Sequence, residues 1–214
     1  MVRCTDCGKH ACYSGELDEL PTKGFCPMQT HNEVLAEARV QYKYPETRKT
    51  SQESARVEAT GYCKWSRVQE TMEFAERMGV KKLGIAFCIG LRREAAILAN
   101  IYTDNGFEVV SVCCKSGSIP KEEIGLRDDE KIRPGTYESV CNPIGQAMLM
   151  NAEKTGLNVI VGLCVGHDSL FIKHSEALVT CLVTKDRVLA HNPVGALYTA
   201  NSYYRSKFTN KNRD

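Results

Sequence analysis

Four short apolar runs, separated by segments of helical period, constrain this 214-residue chain more than any other feature. The runs fall at residues 83–87, 107–112, 158–163 and 177–183, with helices expected at 92–105, 144–155 and 168–175. A strand followed by a helix and another strand returns the chain to its starting edge and builds a parallel sheet. The expected fold class is α/β: a small, open, mainly parallel sheet of about four strands, flanked by helices. Upstream, a helix is predicted over 31–42, on a stripe of Val34, Leu35 and Ala38, with Asn32 as cap and Pro45 as stop. Residues 43–60 are polar and helix-capable, and Gly61 breaks them. Residues 65–78 place Val68, Met72, Ala75 and Met78 on one side, before a terminating Gly79. The mixed charges of 121–133 read as a surface excursion.

The organisation follows. Residues 1–30 form a cysteine-rich metal-binding segment, 31–80 a helical region packed on the core, 81–204 the α/β domain, and 205–214 a basic tail. The first segment has turn formers and almost no large apolar residues, so it cannot order itself by burial, and bound metal is the remaining source of order. Cys4 and Cys7 form a CxxC pair whose turn aims both sulfurs inward, and Cys12 and Cys26 complete four ligands. Structural zinc and an iron–sulfur cluster both accept four thiolates, so ligand type leaves them open. Cys26-Pro27 is similar to the last ligand of bacterial ferredoxin runs, although the spacing differs. His10, between Cys7 and Cys12, is a substitute ligand for one cysteine or a solvated residue, and His31, after the block, is a second-layer group or a surface residue.

The cysteine count is 11, an odd number. No apolar stretch follows Met1-Val2-Arg3-Cys4, so no secretory signal is expected, and a reducing, cytoplasmic setting suits thiols that hold metal. No run approaches the roughly 20 apolar residues of a membrane span. The net charge is +2, which carries no nucleic-acid footprint. Arg205, Lys207, Lys211 and Arg213 against Asp214 make the tail a soluble terminus.

Cys88 ends the first strand, Cys113-Cys114 the second and Cys164 the third, and Cys141 precedes the helix after Pro143. The carboxyl ends of parallel strands face one crevice, where ligands bind. A lone buried cysteine is usually a small hydrophobe, but four at equivalent positions point to ligation. The expected second site is an iron–sulfur cluster on Cys88, Cys113, Cys141 and Cys164, with Cys114 as the substitute for Cys113. Such a cluster is of the four-iron type, and filling both sites gives two. Glycines beside these cysteines let backbone N–H groups approach the cluster. Cys181, inside the fourth strand, reads as core, and Cys63 as a spare ligand or plain packing. His167 is the candidate proton donor and Asp168 its orienting partner, against a loop hydrogen bond and a helix cap as the ordinary roles. Lys115, Lys173, His174 and Lys185 are basic groups for the crevice walls, and Lys185-Asp186-Arg187 equally suits a solvated turn. The catalytic set is His167, Asp168, Cys114 and Lys185. No Walker loop, dinucleotide fingerprint, HExxH or GxSxG occurs.

Cys4-Thr-Asp-Cys7, Cys113-Cys114-Lys115, Cys141-Asn142-Pro143-Ile144, Gly162-Leu-Cys-Val-Gly-His-Asp168 and Lys185-Asp186-Arg187-Val188-Leu189 together resemble the cysteine-rich family called domain of unknown function 1847, from anaerobic bacteria and archaea. The resemblance covers nearly the whole chain and implies metal binding by the N-terminal cysteines, without supplying a reaction. The architecture is also similar to non-redox desulfidases, in which three cysteines hold a four-iron cluster and one iron stays open for a substrate sulfur. The expected function is that of an iron–sulfur protein of anaerobic metabolism. It acts on a small substrate, or with a redox partner protein, as a reductase or a non-redox lyase. The alternative is a non-enzymatic metal carrier or redox sensor with structural zinc.

Overall fold

The computed structural model describes residues 1–21 and 24–209; Lys211, Arg213 and Asp214 of the expected basic tail lie outside them. The chain divides into two compact units, Met1–Cys63 and Lys64–Asp214.

The first unit holds α1 (Ala11–Ser14), α2 (Pro27–Thr30), α3 (Asn32–Gln41) and α4 (Pro45–Gly61). Pro27 and Pro45 open α2 and α4, where a missing N–H costs no intrahelical bond. Asn32 is the first residue of α3 and not its cap; His31 stands at the cap, its side chain bonded to Thr30 Oγ1 at 2.8 Å and not to the helix. The stripe of Val34, Leu35 and Ala38 does not form a buried face, because no residue of α3 is buried. The buried apolar residues of this unit are Ala11, Cys26 and Val57, too few to build a second layer.

The second unit contains α5 (Arg67–Met78), β1 (Lys82–Phe87), α6 (Arg92–Asp104), β2 (Glu108–Cys113), α7 (Pro143–Ala152), β3 (Leu157–Val161), α8 (His167–His174), β4 (Leu178–Val183), α9 (Val194–Tyr198) and α10 (Arg205–Phe208). As the sequence predicts, the sheet is α/β and parallel, in the order β2-β1-β3-β4. Ser66 caps α5 through a reciprocal pair with Gln69, and Gly79 closes it at φ +80°.

Strand side chains alternate between two cores. Leu83, Ile85, Leu157, Val159 and Val161 pack with Ala75 of α5 and Ala95, Leu98 and Tyr102 of α6. Ala86, Val112 and Ile160 pack with Ala147 and Met150 of α7 and Phe171 of α8. Helices thus cover both faces and leave β1 and β3 as the central strands. Gly84 makes room for a polar post in the second layer: a Cβ there would lie 2.1 Å from Asn158 Oδ1. Asn158, fully buried, accepts from Thr155 Oγ1 at 2.7 Å and donates to Ser175 Oγ at 2.8 Å.

The placement of Cys181 in the core is corrected. It lies on β4, the edge strand, and is exposed, with its sulfur 3.7 Å from Thr184 Oγ1. An edge strand gives one row of side chains no neighbouring layer. Cys63 is also exposed, so packing does not explain it. The excursion at 121–133 is tied by ion pairs, Lys131 with Glu122 and Asp128, and Lys121 with Glu138. No helix among the described residues is long and apolar enough to cross a membrane.

Candidate functional site

The chain leaves β1 for β2 on one side and returns to β3 on the other. The carboxyl ends of β1 and β3 therefore flank the topological switch point, where open parallel sheets bind ligands. Backbone bonds carry the ladder past the strand ends. Cys88 N–H donates to the Val161 carbonyl at 3.1 Å and Cys114 N–H to the Phe87 carbonyl at 2.9 Å. Asn142 N–H donates to the Cys114 carbonyl at 2.7 Å, which brings the start of α7 to the same edge. Asn142 Oδ1 caps α7 by accepting from Gly145 N–H at 2.8 Å, and its Nδ2 donates to the Ser116 carbonyl at 3.1 Å. One turn on, buried Gln146 donates through Nε2 to the Phe87 and Val112 carbonyls, at 3.2 and 2.6 Å. Cys141 is thereby held over the ends of β1 and β2.

Gly162 shapes the other wall. Its φ is +67°, and a Cβ there would lie 2.0 Å from Leu91 Cδ1. Only glycine permits this turn, which presents Cys164 just beyond β3. At Gly90 a Cβ would meet Lys185 Nζ at 3.3 Å and Cys88 Sγ at 3.9 Å, so the lysine and the thiol crowd one glycine.

Three thiols act on one another here, and Arg187 links Cys164 to them. The Cys114 thiol is the largest cause holding Cys88 down at about 5; the Gly90 N–H and Lys185 add to it, and burial opposes it. Cys141 is likewise held down at about 5, first by Cys114 and then by Lys115 and His167, again against burial. Cys114 is pushed the other way, by Cys141, by Cys88 and by burial, because a third anion between two others is unfavourable. Cys164 is paired differently: Arg187 Nη2 donates to its sulfur at 3.0 Å and is itself held more firmly charged by it. Lys115 Nζ lies 3.4 Å from Cys141 Sγ and 2.5 Å from the Ser139 carbonyl, and Ile89 N–H donates to Cys114 Sγ at 3.4 Å. Every sulfur of the site thus carries a cationic or N–H donor.

Of the residues singled out in the sequence, Cys88, Cys114, Cys141, Cys164 and Lys185 lie together. Cys113, the last residue of β2, is half-buried at the margin of the core and is not among the groups that act on Cys88, Cys114 and Cys141. His167 opens α8 close enough to Cys141 to act on its charge, and its buried Nδ1 has no partner among the described residues. Asp168 does not reach that nitrogen. As the second residue of α8 it turns its Oδ1 to Ser169 N–H at 2.8 Å. Lys173 and His174 stand in the last turn of α8, away from its site-facing start. In the first unit Cys26 is buried, Cys7 half-buried, and Cys4 and Cys12 exposed.

Two contributors were not assigned from sequence. Arg187 reads as part of a solvated turn, and only its place two residues after Lys185 hints at the crevice. Gln146 is one polar residue in an apolar helix, the signal of a buried polar post.

The chemistry of the crevice fits a soft metal or an iron–sulfur cluster: four sulfurs, two of them favoured as thiolates, with donors to offset their charge. As they stand, no group of three or more His, Cys, Asp or Glu among the described residues has the geometry to hold a metal ion. Ligation at either cysteine set therefore requires the sulfurs to move.

No solved structure matches the chain. A relative from Methanocaldococcus jannaschii, described as an uncharacterized protein, is 45% identical over 206 residues, covering 96% of this chain and 97% of that protein. A family model described as protein of unknown function (DUF1847) matches residues 26–182. On that match and the extent of the shared sequence, the chain belongs to the DUF1847 family.

Proposed function

We propose that this is a cytoplasmic iron–sulfur protein of anaerobic metabolism, with its working centre in the crevice beyond β1 and β3. The observation that carries the reading is the convergence of Cys88, Cys114, Cys141 and Cys164 from four separate segments, each sulfur facing a positive or N–H donor. A four-iron, four-sulfur cluster bound there supplies one-electron transfer, or a Lewis-acidic iron for a substrate sulfur. The cysteines hold it; Lys115, Lys185, Arg187 and the Ile89 N–H offset sulfur charge; His167, with Nδ1 unpartnered, moves a proton at the crevice edge. The counterpart is a small-molecule substrate or a redox partner protein. Cys4, Cys7, Cys12 and Cys26 hold a second cluster or a structural zinc.

Anaerobic purification with iron, zinc and acid-labile sulfide analysis tests this. Iron with sulfide is expected, and replacing Cys88 and Cys164 together by Ser lowers the iron without touching the N-terminal metal. Iron content unchanged in that double variant rejects the crevice site.

A second reading, a non-enzymatic metal carrier or redox sensor, has its own support. Cys114 stands near enough to two other thiols for each to act on its charge, the neighbourhood from which mild oxidation forms a disulfide. Stoichiometric Cys114 disulfide after brief peroxide treatment, in protein that gives up its metal to a chelator while staying folded, selects it.

A further inference from the structure

Arg187 is set apart from the other cations of the crevice. Lys115 and Lys185 are half-buried, whereas Arg187 is exposed at the mouth, in the loop after β4. Only its Nη2 is engaged, by Cys164 Sγ at 3.0 Å; its guanidinium forms no other hydrogen bond and no ion pair among the described residues. The adjacent carboxylate is taken up elsewhere. Asp186 Oδ1 accepts from Val188 N–H at 2.9 Å and Leu189 N–H at 2.8 Å. Asp186 N–H donates to His191 Nδ1 at 3.1 Å, and His191 N–H returns to the Asp186 carbonyl at 2.9 Å. These bonds fix the loop and turn its acid inward, leaving the arginine with free donors. Three exposed aliphatic side chains flank the same loops, each next to a site residue: Ile89 (46% exposed) after Cys88, Val165 (91%) after Cys164 and Val188 (76%) after Arg187.

From this placement we infer that the crevice takes a short aliphatic carboxylate bearing a thiol, with its carboxylate on the free edge of Arg187 and its sulfur toward the cysteines. A guanidinium presents parallel N–H donors that match a carboxylate, and exposed aliphatic residues beside Cys88, Cys164 and Arg187 suit a hydrocarbon chain of a few carbons. A carboxylate carries one charge, which a site already rich in sulfur accommodates better than a phosphate dianion. This inference rests on the reading of the crevice thiols as the working centre, and it concerns binding only, with no bond made or broken.

Calorimetric titration of the anaerobically purified protein tests it, with 3-mercaptopropionate, ethanethiol and inorganic phosphate as probes. The mercaptocarboxylate is expected to bind about tenfold more tightly than the neutral thiol, and phosphate more weakly than either. Arg187→Met brings the ratio of the two thiols to about one, and Arg187→Lys, which keeps the charge and loses the fork, falls between. A ratio that survives both substitutions, or phosphate as the tightest ligand, overturns the inference. If Arg187→Met does not fold, Arg187→Lys decides alone, and an unchanged ratio is fatal. Iron and sulfide measured on the same samples separate the two ideas. Preference without iron overturns the iron–sulfur reading, and iron without preference overturns only the carboxylate site.

Discussion

The backbone N–H of Cys88 donates to the carbonyl of Val161 at 3.1 Å. This bond keeps the first residue after β1 in step with the last residue of β3, across the switch point of the sheet. The Cys88 side chain is therefore delivered to the crevice by the ladder itself, before any side-chain interaction acts on it. Cys114, bonded through its N–H to the Phe87 carbonyl, is delivered in the same way from the opposite side.

The thiol triad makes stability depend on pH. Cys88 and Cys141 are each held down from 9.0 to about 5 in the folded protein. A group depressed on folding adds stability above its unfolded value and loses it as pH falls through its folded value. The reduced, metal-free protein should therefore gain stability as pH rises from about 5 to about 9. Cys114, pushed up, opposes the gain above the ordinary thiol range. Anaerobic urea denaturation across this window checks the slope, and Cys88→Ser should reduce it.

Cys114 and Cys113 should behave differently despite being neighbours. Cys114→Ala removes the neighbour that does most to hold Cys88 and Cys141 as thiolates. Their alkylation by iodoacetamide at pH 6 should slow by about tenfold, because the thiolate is the nucleophile. Cys113→Ala should leave both rates near wild type. Peptide-resolved mass spectrometry reads the two variants side by side, and equal effects would defeat the assignment.

Gln146→Leu removes both bonds from Nε2 and leaves the Phe87 and Val112 carbonyls without that donor. The Phe87 carbonyl keeps the Cys114 N–H, so the loss is that of the buried bonds from Nε2, about 1–3 kcal/mol. Urea denaturation measures it, and a loss below about 1 kcal/mol would show that the glutamine is no structural post.

Two glycines of the third-strand loop separate crowding from backbone strain. Gly166 has φ +84° and open space around its missing Cβ, so Gly166→Ala should cost only the left-handed backbone penalty, about 1–2 kcal/mol. Gly162 has φ +67° and Leu91 Cδ1 where its Cβ would go, so Gly162→Ala should cost at least about 3 kcal/mol. Thermal melts of both variants compare them. Adding Leu91→Ala to Gly162→Ala removes the clash, and the two changes should then cost less than their sum.

The local patterns of the chain determined the order of strands and helices from α5 to β4, and the presence of a cysteine at or just past the ends of β1, β2 and β3. Apolar alternation, helical period and turn residues are properties of a few consecutive residues, so they can be read along the chain. The stripe on α3 stays unburied because an apolar stripe states only what a helix can cover; whether another layer lies against it depends on the rest of the unit. Cys181 was misread for a related reason, since β4 becomes an edge only once the strand order β2-β1-β3-β4 exists.

The site itself belongs to the tertiary structure. Cys113 and Cys114 are equivalent on paper, and the register that pairs Cys113 with Phe87 at the end of β2 leaves Cys114 as the residue that acts on Cys88 and Cys141. Arg187 reads as a solvated turn until β4 is placed beside β3, which brings its guanidinium to Cys164 across 23 residues of sequence. Local sequence sets the backbone conformation of each loop. Which loops share a crevice is set by the pairing of strands far apart in the chain, and that pairing depends on burying the apolar faces of all the elements at once.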